Sequence, residues 1–369
     1  MGATLQDGSG NNFVVSSHNE WDPLEEVIVG NVENAMFPAW NTINKVTVPP
    51  GEWEVIEGLL GTGGAPYPEE MVAPARKCLE GFIDLLRGEG VVVRRSDPVD
   101  HAAPYSTPDW GIPSGFCAAN PRDVFLVVGD EIIEAPMADR GRYFEARAFR
   151  SLLIEYFKAG ARWTGAPKPR LLDAHYDSNY TAPGASEAMR YVTTESEPTF
   201  DAADFVRCGR DIFGQRSHVT NALGIDWLAR HLGDQYRVHV VKTRCKQAMH
   251  IDTTLMPLAP GKVLVNPEFL DIERLPKIFR SWEVLVAPQP VSTATNPINT
   301  ISGWANMNVL MLDEKRVIVE KSQEPMISAL KKWGFTPLPC AFEAYYPFGG
   351  SFHCATLDIR RRGSLKSYF

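Results

Sequence analysis

The sequence predicts an α/β protein in which one ββαβ unit recurs around a ring. Two observations carry this prediction. Four hairpin patterns, each made of two apolar runs around a short turn, are spaced along the chain. Each hairpin is followed by a helical period and then by a short β-rich run. With 369 residues, of which 44% are hydrophobic, the chain can bury the large core that such a protein needs.

The four hairpins turn at residues that reverse a chain readily. In chain order their turns contain Gly-Asp, Gly, Pro-Gly and Asp, and the second hairpin is a weaker instance than the others. The patterns are FLVVGDEIIEA from Phe125, DFVRCGRDIF from Asp204, TLMPLAPGKVLVNP from Thr254 and NVLMLDEKRVIVE from Asn308.

The segment after each hairpin completes the unit. Residues 144–157 carry the first helical period, and ARW follows it. The other pairs are LGIDWLARHLG with YRVHVV, DIERLPKIFRSW with EVLVAP, and PMISALKKWG with FTPLPC. A fifth unit requires both ends of the chain: EEVIVG, a helix with an apolar stripe from Val72 to Leu86, VVVRRS, and the C-terminal GSFHCATLDIR. The ends would then close the ring, so we expect residues 1–369 to form a single domain.

The residues that precede the hairpins would meet at the centre of such a ring. Several of them are ionisable or reactive: Asp123, Asp201, Asp204, His250, Asp252 and Ser302, and the reactive Cys354 would begin the terminal strand. The alternative is that these residues only cap turns, since Asp and Ser favour such positions. Their recurrence at equivalent places favours a shared site.

The stretch MHID places a base and a carboxylate on one face if it is extended. His250 and Asp252 would then point to one side, and Met249 to the other. By the same rule His353 points away from Cys354, so His250 is the better partner for the thiol.

Three carboxylates around one thiol suit a cation better than an acyl substrate, whose transition state needs N–H donors. A planar guanidinium fits carboxylates bidentately. Attack of the Cys354 thiolate on its carbon would give an amidino-cysteine, provided that a protonated histidine gives the departing amine its proton.

Longer motifs carry a resemblance to a known family. They are SSHNEWDPLEEVIVG from Ser16, then PRD, EIIEAPMA, FDAADF, GRDIF, MHID, MNVLMLDEKRV, FHC and the terminal RRRGSLKSYF. With these motifs, nearly the whole chain resembles the L-arginine:glycine amidinotransferases and their relatives in antibiotic and toxin biosynthesis, including inosamine-phosphate amidinotransferases.

The resemblance implies a fold and an activity. The fold is the five-fold pseudosymmetric α/β propeller of ββαβ modules found in guanidino-group-modifying enzymes. The activity is transfer of the amidino group of L-arginine to a small amine acceptor through an amidino-cysteine, with release of ornithine, in secondary-metabolite biosynthesis.

The resemblance also implies roles for single residues. Cys354 would be the nucleophile, His250 the general acid and base, and Asp201 the carboxylate that orients the histidine. The substrate-binding residues would be Asp123 and Asp252 on the guanidinium, Ser302 on the amino-acid end of the donor, and Met249.

One departure from the family and several alternatives stay open. Where glycine-accepting members have an arginine for the carboxylate of the donor, this chain has Phe269, which puts glycine as acceptor, and guanidinoacetate as product, in doubt. If water is the acceptor, the protein is an arginine deiminase-like hydrolase. Long loops at about 31–68 and 96–120 could act as lids that exclude water, and favour transfer. A scaffold that only binds a cationic metabolite is the non-enzymatic alternative.

Composition narrows the remaining classes. The formal net charge of -8 argues against a nucleic-acid partner. Six scattered cysteines without C-x-x-C spacing predict reduced thiols, with no metal site and no cofactor. The sequence has no run of 18 apolar residues and no targeting signal near Met1, so we expect a cytoplasmic protein without a membrane span. Relatives in the family are often dimers, which makes a homodimer an expectation by resemblance.

Overall fold

Five three-stranded sheets of one strand order organise the structure. It is a computed structural model that describes residues 5–6, 12–48, 53–60, 63–184, 186–292 and 301–369, and the sheets are counted within these ranges. In each sheet the middle strand pairs antiparallel with one neighbour and parallel with the other. A ββαβ unit produces this order, because its hairpin supplies the antiparallel pair and its crossover the parallel pair.

Four of the sheets follow one another along the chain. Their strands are Phe125–Val128, Glu131–Glu134 and Arg162–Gly165 in the first sheet; Phe205–Cys208, Asp211–Gln215 and Arg237–Val241 in the second; Leu255–Ala259, Lys262–Val265 and Glu283–Val286 in the third; and Leu310–Met311, Arg316–Glu320 and Thr336–Cys340 in the fourth.

The fifth sheet joins the two ends of the chain. Its middle strand, Leu24–Val29, pairs antiparallel with Thr356–Arg361 and parallel with Val92–Arg95. The sequence predicts this pairing from three separate apolar runs.

Helices cross over between the second and third strands. The α-helices are Thr42–Thr47, Trp53–Leu60, Glu69–Gly88, Pro121–Val124, Arg150–Lys158, Ala222–Leu232 and Glu324–Lys332. The longest, Glu69–Gly88, buries the apolar stripe from Val72 to Leu86 against the fifth sheet. Gly160 and Gly334, at φ of 103° and 90°, follow two of these helices in the left-handed conformation that ends a helix.

The crossover of the third unit differs from the prediction of a helix. It forms two 3₁₀ segments, Ile272–Arg274 and Lys277–Ser281. Pro276 separates them, because proline lacks the N–H that an α-helix needs and disfavours helical geometry in Leu275 before it.

The two predicted lid loops contain regular structure. Residues 31–68 include the helices Thr42–Thr47 and Trp53–Leu60 and a ribbon of Met36–Phe37 with Ala65–Pro66. Residues 96–120 include a ribbon of Tyr105–Ser106 with Gly111–Ile112. Residues 49–52 and 61–62 of the first of these loops lie outside the described residues.

Short elements complete the described chain. One more ribbon pairs Leu5–Gln6 with Asn12–Phe13. The remaining 3₁₀ helices are Arg140–Arg142, Glu145–Phe149, Asp173–His175, Ala202–Asp204, Gly233–Gln235, Ile251–Thr253, Ala305–Met307 and Glu343–Phe348. Over the ranges given above, no helix combines the length and the apolar character needed to cross a membrane.

A buried ion network lies where the fifth sheet meets the first two. Arg207 forms a two-pronged ion pair with Glu20, with Nε–Oε1 2.9 Å and Nη2–Oε2 2.8 Å. Its Nη2 also lies 2.7 Å from Asp358 Oδ2, and Arg122 and Arg361 bind the same Asp358. All five side chains are buried. The network therefore ties the N-terminal segment and the C-terminal strand to the second sheet.

We predict that Arg207→Met lowers the free energy of unfolding by about 3–5 kcal/mol, because Glu20 and Asp358 lose a buried partner while most of the side-chain volume remains. Urea unfolding followed by circular dichroism measures this. The matched control is Arg190→Met, which removes a surface pair with Glu187 whose side chains are 58% and 59% exposed, and should cost less than about 1 kcal/mol. Equal effects in the two variants would contradict the prediction.

Candidate active site

A turn of helix precedes the first strand in each of the first four sheets, and these turns contact one another. They are Pro121–Val124, Ala202–Asp204, Ile251–Thr253 and Ala305–Met307, and each touches the next in chain order. Side chains that the sequence places far apart therefore meet at one end of the sheets.

Cys354 lies in the turn before the last strand. The prediction that it begins this strand is wrong by two residues, since the strand starts at Thr356. The GG of GGSFHC is a steric requirement: Gly349 has φ of 88°, and a Cβ on Gly350 would lie 2.5 Å from the Cβ of Cys354. The thiol is buried and accepts a hydrogen bond of 3.0 Å from Asn308 Nδ2.

His250 does not lie in an extended strand, which corrects the prediction for MHID. Its φ is 63°, and the 3₁₀ turn Ile251–Thr253 follows it. The side chains of His250 and Asp252 still reach the same site, because the backbone bends at His250 and directs the imidazole toward the thiol. Nε2 lies 3.0 Å from Asp201 Oδ2, Nδ1 lies 3.6 Å from Asp123 Oδ1, and a ring nitrogen lies within 4.8 Å of Cys354 Sγ.

Asp252 holds three donors on one oxygen. Its Oδ2 accepts hydrogen bonds from Asn308 Nδ2 at 2.8 Å, His353 Nδ1 at 3.0 Å and the Cys354 thiol at 3.2 Å. His353 and Cys354 lie in a turn rather than in the extended strand that the prediction assumed, and both bind this same oxygen.

Three carboxylates each keep one buried oxygen free of hydrogen bonds. These atoms are Asp123 Oδ1, Asp201 Oδ1 and Asp252 Oδ1, and none has a hydrogen-bond partner among the described residues. Buried polar atoms are nearly always bonded in folded proteins, so such a cluster indicates a ligand that supplies N–H donors.

A cavity opens onto the thiol. Cys354, His250 and Asp252 line it together with Met249, Phe269 and Ser302. Among the described residues that line this cavity there is no Lys or Arg. Asp201 lines a neighbouring cavity, and Met249 forms part of the wall of both.

Two further residues of the site, Asn308 and Arg142, are not among those that the sequence predicts. Asn308 clamps the nucleophile, because its Oδ1 accepts from the backbone N–H of His353 and Cys354 at 2.9 and 3.2 Å while its Nδ2 donates to the sulfur. Asn308 is the first residue of the fourth hairpin pattern. Asp123 and Asp252 lie just before the first and third hairpin patterns, so the three residues have similar positions.

Arg142 is the second of these residues. Its Nη1 binds Asp123 Oδ2 at 2.9 Å, its Nε and Nη2 bind Glu145, and it lies 3.5 Å from Asp201 Oδ2. This guanidinium fixes one oxygen of Asp123 and leaves the other toward the thiol.

Burial and charge set the protonation of the reacting pair. Burial would lower the pKa of His250, but Asp123 and the hydrogen bond to Asp201 raise it well above its usual value. Burial and the charge of Asp252 raise the pKa of Cys354 to about 12, although the hydrogen bond of His250 acts the other way. Before a cation binds, the pair is therefore a neutral thiol beside an imidazolium.

The same atoms have a spacing that would suit a metal ion. One ligand atom each from Asp123, His250 and Cys354 lie within 4.8 Å of one another in the described structure. We interpret the group as a nucleophile with its acid, because the imidazole is paired with Asp201 and the thiol is bonded to Asp252 and Asn308.

Comparison with known proteins decides the family. The L-arginine:L-lysine amidinotransferase of Pseudomonas savastanoi pv. phaseolicola is 49% identical over 354 residues, which cover 96% of each chain. The chain belongs to the amidinotransferase family. The resemblance read from the motifs is thereby confirmed, although no family model matches the chain.

Solved amidinotransferases share the mixed α/β fold of this amidinotransferase. SxtG from Microseira wollei, of the saxitoxin biosynthetic pathway, superposes with a TM-score of 0.95 at 66% identity, over 96% of this chain and 100% of that one. Inosamine-phosphate amidinotransferase StrB1 from Streptomyces griseus gives 0.87 at 40% identity, over 97% and 99%.

We predict that iodoacetamide alkylates Cys354 slowly at neutral pH, and that the rate rises about tenfold for each pH unit above it, because only the thiolate reacts and the pKa of the thiol is about 12. Peptide mapping by mass spectrometry separates Cys354 from the other five cysteines. Bound arginine should protect it. Rapid alkylation at pH 7 that levels off at higher pH would show a stable thiolate in the free protein, and would contradict the assigned protonation.

Proposed function

We propose that this amidinotransferase moves the amidino group of L-arginine to a primary amine through an amidino-Cys354 intermediate and releases ornithine. The observation that carries the proposal is the set of three unbonded carboxylate oxygens around a thiol and an imidazolium. The arginine:lysine relative supports arginine as the donor, and the saxitoxin-pathway relative supports a place in secondary metabolism.

The guanidinium of arginine would bind between Asp123 and Asp252. Its N–H groups satisfy the buried Oδ1 atoms of both carboxylates. The two acids also keep the guanidinium protonated, which keeps its carbon electrophilic. Ser302 and Met249 line the cavity where the rest of the donor would extend.

The first half-reaction transfers the amidino group to sulfur. As the cation binds beside Cys354, the thiol loses its proton to solvent, because a neighbouring positive charge favours the thiolate. Sulfur attacks the guanidinium carbon and a C–S bond forms. The His250 imidazolium gives its proton to the departing nitrogen, the C–N bond breaks, and ornithine leaves. Asp201 holds Nε2 of His250 throughout.

The second half-reaction reverses these roles. The acceptor loses its ammonium proton to solvent and attacks the amidino carbon as the free amine, while neutral His250 takes the second proton from the attacking nitrogen. The C–S bond breaks, which regenerates the thiolate and gives a new guanidinium. Water in place of the amine would release the amidino group as urea, so exclusion of water decides between transfer and hydrolysis.

The segment 31–68 is our candidate for this exclusion. Thr47, which ends the helix Thr42–Thr47, lines the cavity together with Cys354. Closure of the segment 31–68 over the cavity would cover the intermediate.

The five sheets are, in our proposal, blades of a five-fold pseudosymmetric propeller. The helical turns before the strands contact one another in sequence. Asn308, next to the fourth turn, bonds Cys354, and Arg122 of the first turn bonds the carbonyl of His353 at 2.6 Å. This series of contacts is what a closed ring requires.

The six cysteines are free thiols, which supports a cytoplasmic protein.

The acceptor, in our proposal, is an amine without a carboxylate at the far end of the cavity. The carboxylate of the donor lacks a cation there too, and in our proposal neutral donors such as Ser302 hold it. Phe269 lies on the wall, and the lining residues of the described chain offer no cation to pair with a carboxylate. Residues 293–300, TATNPINT, contain no Lys or Arg either.

The direct test incubates the protein with arginine and a panel of primary amines and follows products by mass spectrometry. We expect ornithine and the guanidino form of one amine in equal amounts. The Cys354→Ala variant is the control and should give neither product. Citrulline without ornithine would identify a hydrolase, and unchanged arginine with every amine would contradict the proposed transfer.

A single substitution tests the neutral wall. We expect Phe269→Arg to lower KM for acceptors that carry a carboxylate, glycine included, by about tenfold or more, because one charge-assisted hydrogen bond contributes about 1.5–3 kcal/mol. Phe269→Leu is the matched control, since it changes size without adding charge. Wild-type protein that already prefers glycine over uncharged amines would refute the assignment of the wall.

A further inference from the structure

His353 lies between two buried carboxylates. Its Nδ1 is 3.0 Å from Asp252 Oδ2, and its Nε2 is 3.3 Å from Glu20 Oε2. All three side chains are 2% exposed or less. Nothing in the proposed chemistry uses His353 or Glu20, so their arrangement calls for its own explanation.

The hydrogen bonds determine the protons on the ring. An ionised carboxylate only accepts hydrogen bonds, and a neutral imidazole has a single N–H to donate. A ring that faces a carboxylate oxygen at each nitrogen therefore needs both N–H groups, which is the imidazolium form.

Glu20 is held as the second acceptor by cations on its other side. Arg207 binds both of its oxygens, and Arg122 Nη1 lies 3.6 Å from Oε2 while Arg122 Nε donates to the carbonyl of His353. Burial would raise the pKa of Glu20, but Arg207 and His353 hold it well below its usual value.

The consequence falls on Asp252. Its Oδ2 is engaged by His353, Asn308 and the thiol, so the carboxylate cannot rotate without losing all three bonds. Its Oδ1 is thereby left for the substrate. Burial would raise the pKa of Asp252, but His353 keeps it below its usual range.

We propose that His353, held by Glu20, donates a hydrogen bond from each ring nitrogen and is the positioning residue that keeps Asp252 ionised and aimed at the guanidinium of the donor. The site thus contains two histidines with separate tasks. His250 moves a proton during the reaction, whereas His353 holds Asp252 in place. This role rests on the proposed function, because it serves the binding of a guanidinium.

Nuclear magnetic resonance of wild-type protein labelled with ¹⁵N in histidine tests the protonation directly. The His353 signals are assigned by their loss in His353→Asn. We expect both ring nitrogens to show the shift of a protonated nitrogen at the pH of the kinetic assays. A ring with one unprotonated nitrogen under those conditions would overturn the proposal, whatever the activity of the variants.

Kinetics of variants test the positioning. Asn at position 353 retains a donor near the Nδ1 position and removes the charge. We expect His353→Asn to lower kcat/KM for arginine by about 10²-fold. We also expect the acid limb of its pH profile to move up by about one unit or more, because Asp252 loses the positive charge that opposes its burial. Glu20→Gln should move the limb in the same direction, since the amide lets Nε2 become an acceptor.

His175→Asn is the matched control. His175 is also buried and bonded at both nitrogens, to Ser196 and Thr199, but lies outside the site. It should leave the pH profile unchanged. A lower melting temperature in His353→Asn with the wild-type pH profile would overturn the positioning role. Absence of amidino transfer in the wild-type protein would instead refute the proposed function.

Discussion

Burial of paired charges is the constraint on which the rest of the structure depends. Arg207 binds Glu20 from the N-terminal segment and Asp358 from the last strand, and Arg122 and Arg361 bind Asp358 as well. Ions of this kind are costly in a protein interior unless every partner is in place. The two ends of the chain and the second sheet must therefore assemble together, and this places Cys354, four residues before Asp358, at the end of the sheets.

The candidate active site differs from this ion network. In the network, Glu20 and Asp358 are paired with guanidinium groups. Around the thiol, three carboxylate oxygens are buried and have no hydrogen-bond partner in the described chain. Burial of these unpaired acceptors is unfavourable for the free energy of folding, and a cation with several N–H donors relieves this on binding. Recognition of a guanidinium and activation of the sulfur then have the same cause, because the cation that satisfies Asp123 and Asp252 also favours the thiolate of Cys354.

Periodicity and turn chemistry predicted much of the fold. The hairpins, three of the four crossover helices and the sheet shared by both ends follow from patterns within short segments. The sequence predicts an α-helix at the third crossover because its apolar residues keep a helical period, but Pro276 breaks the helix into two 3₁₀ segments. In the site, the sequence predicts His250, Asp252 and Cys354 because each lies close to the start of a strand. The sequence does not predict the roles of Arg142 and Asn308, because both depend on contacts with residues far away in the chain. It does not predict the positive φ of His250 either, because glycine is the residue that normally signals this conformation.

Detection of the covalent intermediate tests the central claim most directly. The protein is mixed with arginine without an acceptor, quenched in acid, digested and mapped by mass spectrometry. The account predicts one amidino group on the peptide that contains Cys354, its loss when an amine is added before the quench, and no adduct in Cys354→Ala. Turnover of arginine with no amidino group on Cys354 at any time before the quench would contradict the account.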